Sequence, residues 1–407
     1  MDYKEKLNDL AIFSGTPAFR DKLHVGRPNI GDRTQLLDRV ADILDRRWLT
    51  NNGNYVQEFE ARLANYLGVR HCIAMCNATV ALEITIRALG MHGEVIVPSF
   101  TFVATAHSLQ WQQITPVFCD IDPRTHALDP ERIEDLITPR TTGIIGVHLW
   151  GEPCSVRSME DIARRRGLKL LFDAAHAFGC SNGTRKIGNF GDAEVFSFHA
   201  TKFFNTFEGG AVATNNDELA ARIRLMKNFG FAGYDNVVYI GTNGKMSEIS
   251  AAMGLTSFDC LADFISANRS NYFAYAEQLK GIPGVRLYPL NGEEERNYQY
   301  VVLEIDETVS GIRRDALLQV LHAENIMARR YFYPGCHRME PYRSYFPHAG
   351  LLLPETEKLV QRVMVLPTGT TISKGEIEMI CSVIRLVINN SCDVMSKLAD
   401  DAPNPVS

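Results

Sequence analysis

The sequence predicts an α/β protein with a large domain built on a mostly parallel sheet of about seven strands and a smaller C-terminal α+β domain. Over the first two thirds of the 407 residues, helical patterns alternate with short apolar runs rich in β-branched residues. This alternation is typical of parallel strands joined by crossover helices. After about residue 245 the pattern changes to a long helical stretch and separate strands, and a chain of this length usually divides into two domains.

The elements of the large domain are predicted from periodicity and from the residues that end each pattern. Val56, Phe59 and Leu63 recur at helical spacing, and this helix ends at Gly68. The run 143–149 is apolar throughout, as expected of a strand that is covered on both faces. The predicted strands lie at 71–75, 94–98, 116–121 and 143–149 and in LKLLFDAA, EVFSFH and GGAVAT; the predicted helices lie at 79–90 and near 102–110, 130–137 and 155–166.

The smaller domain is predicted to contain a helical stretch over 247–280, strands near 285–290 and 298–305, and helices near 312–323 and 374–389. We place the large domain at 1–245, including an N-terminal arm over 1–30, and the smaller domain at 246–395. Residues 396–407 are polar and contain proline, so we expect a flexible tail there.

Composition argues against several classes of protein. The formal charge is -6, and no long run of Lys or Arg occurs, so we expect no nucleic-acid partner. No apolar run approaches the roughly 18 residues that a membrane span requires, so we expect no membrane partner. The nine cysteines form no CxxC pair, which favours a reducing, cytoplasmic location, and we assign no metal site.

Polar residues at the ends of apolar runs are the candidates for chemistry. The chain contains neither GxxxxGK[ST] nor a GxGxxG after a strand, which argues against P-loop and Rossmann nucleotide sites. Asp173 ends the strand pattern LKLLFD, and Lys202 lies just beyond the following strand pattern. Because ligands bind at the carboxyl ends of strands in open α/β sheets, Asp173 and Lys202 are predicted to face one pocket.

Three further residues complete the candidate set, although each also has an ordinary structural interpretation. Thr79 lies in a strand-to-helix turn whose amides can bind phosphate or simply form an N-cap. Phe102 can stack on a flat ring or belong to the core, and Ser197 can bind phosphate or the backbone. Alone, Asp173 is explained equally well by a structural role, as a helix cap or in a buried ion pair, and an isolated lysine is usually exposed.

Taken together, the set indicates one ligand with a phosphate, an aromatic ring, a basic ring nitrogen and an aldehyde that captures an amine. Pyridoxal 5'-phosphate (PLP) has all four features. In this interpretation Asp173 keeps the ring nitrogen protonated and Lys202 forms a Schiff base with the aldehyde. The turn at Thr79 and the hydroxyl of Ser197 hold the phosphate.

These motifs also resemble the DegT/DnrJ/EryC1/StrS aminotransferases, PLP enzymes of fold type I that aminate keto groups of nucleotide-linked sugars. The similarity covers nearly the whole chain and keeps the family's motif order. The matching motifs are SGTPAF (14–19), WLTNNGNYVQEFE (48–60), CNATVAL (76–82), PSFTFVAT, VHLWG (147–151), FDAAHAFG (172–179), SFHATK, FEGG (207–210), TNGKMSEISAAMG (242–254) and YFYPGCH (331–337).

The resemblance implies roles for individual residues. Lys202 is the lysine that binds PLP, Asp173 meets the ring nitrogen, His176 contacts the side of the phenolic oxygen, and Phe102 lies against the ring. The phosphate contacts are Ala78, Thr79 and Ser197 and, from the other subunit, Asn243, so the resemblance implies a homodimer with a shared active site. The implied substrate contacts are Lys245, Tyr333 and His337, of which Tyr333 and His337 are candidates for the nucleotide diphosphate.

Three positions depart from the usual family pattern. Ala78 replaces a glycine in the phosphate turn, so that turn must avoid the positive φ that alanine tolerates poorly. Lys245 stands where arginine is common, which keeps the charge but loses the bidentate fork. Phe203-Phe204 replaces the more usual Asn-Leu after the lysine.

The resemblance also implies a reaction, with L-glutamate as the amino donor and a nucleotide-linked keto sugar as the acceptor. Relatives with histidine at the lysine position catalyse dehydration, so Lys202 favours transamination. The sequences SFHATK and FEGG resemble those of relatives that act at C4 of the sugar. They favour conversion of dTDP-4-keto-6-deoxyglucose to dTDP-4-amino-4,6-dideoxyglucose. The alternatives are a C3-aminotransferase acting on a dTDP-3-keto-6-deoxyhexose, a cyclitol-ketone aminotransferase and a non-catalytic PLP-binding protein.

Overall fold

The structure, a computed structural model, describes residues 4–290 and 294–400. The strands of the large sheet are β1 (His71–Met75), β2 (Glu94–Pro98), β3 (Thr115–Cys119), β4 (Thr141–Val147), β5 (Lys169–Asp173), β6 (Ala193–Ser197) and β7 (Gly210–Thr214). Among the described residues these seven strands follow the order β1-β7-β6-β5-β4-β2-β3. Strand β7 is antiparallel to both of its neighbours, and the other pairs are parallel, which confirms the predicted mostly parallel sheet.

Helices cover both faces of this sheet. Along β5, Leu170 and Phe172 belong to one hydrophobic core, whereas Leu171 belongs to the core on the opposite face. The apolar runs in the sequence therefore reflect burial on both faces. The longer helices are α1 (Arg33–Arg46), α2 (Asn54–Leu67), α3 (Ala78–Ala88), α4 (Ala104–Gln110), α5 (Val156–Arg166), α6 (Asp217–Met226), α7 (Glu248–Asp259), α8 (Leu261–Leu279), α9 (Arg314–Ala323), α10 (Lys374–Asn389) and α11 (Ser391–Asp400).

The parallel strands bring the candidate residues to one edge of the sheet. Asp173 is the last residue of β5 and Ser197 is the last residue of β6, which pairs with β5 in parallel. Phe102 follows the end of β2, and Ala78 begins α3 shortly after the end of β1. The side chains predicted to bind one ligand therefore approach the same edge from different strands.

A second body contains, in the described part of the chain, an antiparallel three-stranded sheet with its own core. Its strands are β8 (Val285–Leu287), β9 (Val301–Ile305) and β10 (Val363–Leu366). The predicted helical stretch over 247–280 is two helices, α7 and α8, that meet at Cys260. Ala251 and Leu255 of α7 belong to the core of the large sheet, whereas Tyr275 of α8 belongs to the second core. The two cores thus divide along α8 and not at residue 245.

The N-terminal arm packs on the second body, whereas the sequence analysis assigned it to the large domain. Leu10, Phe19 and Leu23 belong to the second core, and Leu23–His24 pairs in parallel with Ile326–Met327. A buried carboxylate explains this attachment, because Glu324 accepts hydrogen bonds from the backbone amides of Ala11 and Ala18, both at 2.6 Å.

Further along, the arm reaches the loop that carries Lys202. The Asn29 side chain donates to the carbonyl of Phe203 at 2.9 Å and accepts from the backbone amide of Thr370 at 3.0 Å. Asn205 in turn donates to the carbonyl of Asn29 at 2.9 Å. The arm therefore links the residues after Lys202 to the second body.

Several boundaries differ from the prediction. The helix predicted near 130–137 is one α-helical turn, Pro130–Ile133, followed by a 3-10 turn. Helix α11 extends to Asp400, into the segment predicted as a flexible tail, and Val394 belongs to the second core; residues 401–407 lie outside the described part. None of the helices in residues 4–290 and 294–400 combines the length and the hydropathy needed to cross a bilayer.

We predict that Glu324→Ala lowers the free energy of unfolding by about 3 kcal/mol, because two partly buried backbone amides lose a buried charged acceptor. Urea unfolding followed by circular dichroism measures this change. The matched control is Glu307→Ala, which truncates an exposed glutamate and is expected to change stability by less than about 0.5 kcal/mol. Equal effects of the two substitutions would contradict the assigned role of Glu324.

Candidate active site

A cavity of about 650 Å³ opens at the carboxyl edge of the large sheet and is closed on one side by the second body. Most of the predicted site residues line it: Ala78, Thr79, Phe102, Asp173, His176, Ser197 and Lys202. Its size suits a cofactor together with part of a substrate. The structure thus brings together residues that are separated by more than a hundred positions in the chain.

Asp173 is a buried carboxylate held by two donors. Its Oδ2 accepts from Thr105 Oγ1 at 2.8 Å, and its Oδ1 accepts from the backbone amide of Ala175 at 3.1 Å. Thr101 lies beside this pair, with its hydroxyl 3.1 Å from that of Thr105. Burial raises the pKa of Asp173, while the two hydrogen bonds and the nearby Lys202 lower it. The arrangement fixes the direction of the carboxylate at the base of the cavity.

Lys202 is half-buried, and its amine faces the cavity. Removal from water lowers the pKa of Lys202 to about 8, although the charges of Asp173 and Tyr331 oppose this shift. The Nζ atom donates to the hydroxyl of Tyr300 at 3.4 Å. An amine with this pKa is partly uncharged near neutral pH, so it can act as a nucleophile and as a base.

His176 forms part of the aromatic wall of the cavity. Its ring stacks on Phe332, with centroids 5.7 Å apart, and meets the edge of Tyr300 at 4.7 Å. The backbone amide of Trp150 donates to His176 Nδ1 at 3.3 Å. Burial and the charge of Lys202 hold the pKa of His176 well below its usual value, so this ring is neutral. A neutral imidazole offers a hydrogen bond without adding charge.

The turn before α3 forms an anion cradle. Asn77 caps the helix by accepting from the amide of Val80 at 2.8 Å, and Ala78 and Thr79 follow in the first turn. Ala78 is helical, so the turn avoids the conformation that alanine tolerates poorly. A Cβ at Gly210 would lie 2.8 Å from the amide nitrogen of Ala78, so glycine there keeps the cradle open. Ser197 lines the same cavity from the end of β6.

The features of this cavity fit PLP. The helix start carries amides and a partial positive charge that suit a phosphate. Asp173 can face a protonated ring nitrogen, and Lys202 supplies an amine with a lowered pKa. Phe102 is 58% exposed, so its ring has a free face toward the cavity. The donor set therefore matches the phosphate, the ring and the aldehyde of the cofactor.

Other predicted residues lie elsewhere. Asn243 and Lys245, both described, are outside the lining of this chain's own cavity; Lys245 Nζ donates to the Asn228 side chain at 3.0 Å. Tyr333 lines an adjoining cavity of about 290 Å³, with the Arg330 guanidinium 4.2 Å from its ring centre.

The prediction that His337 contacts substrate is corrected by the structure. The side chain is buried, with one ring nitrogen 2.6 Å from Ser99 Oγ and the other 2.6 Å from Glu357. Both nitrogens therefore have partners within the protein. His337 connects Ser99, the residue after β2, to the short helix Pro354–Leu359.

Sequence analysis missed several residues that line the cavity: Thr101, Tyr300, Arg329, Tyr331 and Phe332. Tyr331 and Phe332 lie in the motif YFYPGCH, in which the resemblance implies Tyr333 and His337 as the substrate contacts. The motif itself was the available signal, but it does not say which of its aromatic rings faces the cavity. Tyr300 and Arg329 belong to the second body, whose position over the sheet edge cannot be read from local pattern.

The comparisons with known proteins agree with this geometry. The family model of the DegT/DnrJ/EryC1/StrS aminotransferase family matches residues 31–385. The dTDP-4-amino-4,6-dideoxy-D-glucose transaminase of Shigella dysenteriae is 38% identical over 365 residues, which is 89% of this chain and 98% of that protein. The Escherichia coli protein of the same name is 35% identical over 367 residues, covering 89% and 97% of the two chains.

A solved structure, of DesI in the presence of its TDP-sugar product, is 50% identical to this chain. It superposes with a TM-score of 0.93 and covers 97% of this chain and 100% of that one. These similarities confirm the family and the fold class that the motifs indicated. The chain belongs to the DegT/DnrJ/EryC1/StrS aminotransferase family, and it is an aminotransferase.

Proposed function

We propose that this aminotransferase converts dTDP-4-keto-6-deoxyglucose to dTDP-4-amino-4,6-dideoxyglucose, with PLP as cofactor and L-glutamate as amino donor. The observation that carries the chemistry is the meeting of Lys202 and the buried carboxylate of Asp173 in one cavity beside a helix start. Each of these groups is costly to bury, and together they match a single aromatic aldehyde phosphate.

The residues that hold PLP in this proposal approach it from three sides. Ala78, Thr79 and Ser197 bind the phosphate, Asp173 faces the ring nitrogen, and the ring of Phe102 covers one face. When bound, PLP supplies an aldehyde that captures amines and a ring that takes up the electron pair left on a substrate carbon.

Lys202 has two tasks in this proposal. Its amine would hold the cofactor in the resting enzyme and, once free, would accept a proton from the α-carbon of the amino donor. With a pKa near 8, the released amine can bind that proton and give it up again near neutral pH. Glutamate would lose its amino group and leave as 2-oxoglutarate. The same amine would then deliver a proton to the former keto carbon of the sugar, which receives that amino group.

Asp173 supports this cycle through charge and direction. Its carboxylate stabilises a proton on the cofactor's ring nitrogen, because opposite charges are favoured where water is excluded. Thr105 and the amide of Ala175 donate to the two carboxylate oxygens, which holds the carboxylate in one orientation at the site where the ring would bind.

The choice of sugar is supported by the similar proteins and by the cavity. Two relatives that cover most of this chain are named dTDP-4-amino-4,6-dideoxy-D-glucose transaminases, and the DesI structure holds a TDP-sugar product. Arg329 and Tyr331 line both the main cavity and the adjoining one that contains Tyr333. A cation and aromatic faces next to the reaction site suit a nucleotide diphosphate, and this placement supports the proposed contact of Tyr333.

We also propose a homodimer in which Asn243 and Lys245 reach the partner's cavity. Both lie outside their own chain's cavity, on a loop that pairs residue 243 with Asn228. This loop exposes several large apolar side chains, including Phe229 (45%), Val237 (57%) and Ile240 (76%). Clustered exposed apolar residues of this kind favour a protein interface.

We predict that the rate at which the cofactor-free protein captures PLP rises with pH through about pH 8 and then levels, because capture needs the uncharged amine of Lys202. At pH 7 this amine is uncharged about 200- to 300-fold more often than that of an ordinary lysine. Stopped-flow absorbance measures the rate across the pH range.

The variant Asp173→Asn is expected to lower the midpoint of this pH profile, because the carboxylate favours the charged form of Lys202. The control Glu218→Gln changes an exposed acid on α6 and is expected to leave the midpoint unchanged. A profile that still rises steeply at pH 10 would contradict the lowered pKa.

We further predict that PLP-loaded protein and L-glutamate aminate dTDP-4-keto-6-deoxyglucose with a kcat/KM at least about 100-fold above that for the 3-keto isomer. The reason in this proposal is that a nucleotide bound in the adjoining cavity beside Tyr333 would determine which ring carbon of the sugar comes within reach of Lys202. NMR of the product locates the new amino group. An amine at C3 would instead favour the C3-aminotransferase alternative.

A further inference from the structure

The segment 297–300 enters the site from the second body, just before β9. The side chain of Asn297 donates to the carbonyls of His176 at 2.8 Å and Phe178 at 3.0 Å. Gln299 Oε1 accepts from the backbone amide of Phe203, the residue after Lys202, at 3.2 Å. This short segment therefore ties together the two loops that carry His176 and Lys202.

The backbone of this segment is held in an uncommon conformation. Tyr298 has a φ of 50°, in the left-handed region that residues with a Cβ rarely adopt. Such a conformation is unfavourable for a residue with a Cβ and persists only where its surroundings fix it. Here Asn297 Oδ1 accepts from the amide of Gln299 at 3.0 Å, and Asn268 donates to the carbonyl of Asn297 at 3.0 Å. The side chains on either side of Tyr298 are thus fixed in place.

Tyr300 is the member of this segment that touches the reacting amine. Among the residues described, its hydroxyl is the hydrogen-bond partner of Lys202 Nζ, at 3.4 Å. The side chain lines the cavity and is only 6% exposed, and its ring packs against the edge of His176 at 4.7 Å. Burial raises the pKa of Tyr300, so the phenol stays neutral over the working pH range.

A neutral phenol suits an amine that changes its protonation state. Its oxygen accepts a hydrogen bond from the charged ammonium, and its hydroxyl donates one to the free amine. Tyr300 can therefore form a hydrogen bond with Lys202 in either state. Asp173 and Tyr331 also act on Lys202, but through charge, which fixes no direction for the amine.

We propose that Tyr300 is a positioning residue whose hydroxyl holds the released amine of Lys202 between the substrate carbon and the cofactor in both halves of the reaction. The proposal rests on the role of Lys202 under the proposed function. In each half the proton moves from carbon to the amine nitrogen and from there to carbon again, and Tyr300 itself gains and loses none. Its hydroxyl fixes where the nitrogen lies when the proton moves.

The test compares Tyr300→Phe with Tyr298→Phe. The second substitution also removes a phenol hydroxyl, but from a ring that packs on Tyr272 and Phe273 and does not line the cavity. The two substrates react in separate halves, so kcat/KM for glutamate and kcat/KM for the keto sugar each report one half. With PLP content matched, Tyr300→Phe is expected to lower both values by a similar factor of about 10 or more. Tyr298→Phe is expected to leave both unchanged.

A second measurement does not depend on turnover. The pH midpoint of the cofactor's visible absorbance in the resting enzyme reports protonation of the Lys202 nitrogen, which lies beside the Tyr300 hydroxyl. This midpoint is therefore expected to shift in Tyr300→Phe and to stay constant in Tyr298→Phe. Equal thermal stability confirms that both variants fold. A loss confined to one substrate would overturn the proposal in favour of a direct contact to that substrate. Changes below about twofold in both values, with no shift of the midpoint, would also overturn it.

Failure of the proposed function would look different. In that case the parent enzyme itself would carry no cofactor on Lys202, and reduction of the parent by borohydride would show this before any Tyr300 variant is measured.

Discussion

The structure depends on one constraint, the burial of an amine and a carboxylate at the same edge of a sheet. Lys202 and Asp173 each lose water, and the consequence is visible in the lowered pKa of Lys202 and the two donors that hold Asp173. The fold meets this constraint by ending β5 at Asp173 and placing Lys202 just after β6, its parallel neighbour. The same constraint makes the site chemically reactive, because a lysine in water would stay charged near neutral pH.

The second body completes the site. The large sheet supplies the helix start, the carboxylate and the lysine, whereas Tyr300, Arg329 and Tyr331 arrive from the smaller sheet and its connections. The N-terminal arm joins the two bodies, because Asn29 bonds both to Phe203 and to Thr370. Glu324, far from the cavity, binds the earlier part of the same arm through the amides of Ala11 and Ala18.

The sequence predicts the parts of this site that depend on local pattern. Asp173 and Ser197 end apolar runs, and Thr79 follows a strand, so strand ends alone were enough to place them together. Contacts between distant segments leave no such pattern. Thr105 donates to Asp173 from helix α4, and Tyr300 approaches Lys202 from the second body. His337 is buried and bonds to Glu357. The N-terminal arm was misassigned for the same reason, since its few apolar residues do not show which core they enter.

The central claim is that the amine of Lys202 is the covalent attachment point of PLP beside Asp173, and the most direct measurement is borohydride reduction of the PLP-loaded protein followed by peptide mass spectrometry. The account predicts a phosphopyridoxyl label on the peptide that contains Lys202 and its loss in a folded Lys202→Ala variant. A label on a different lysine, or a Lys202→Ala variant that turns over at the parent's rate, would contradict it.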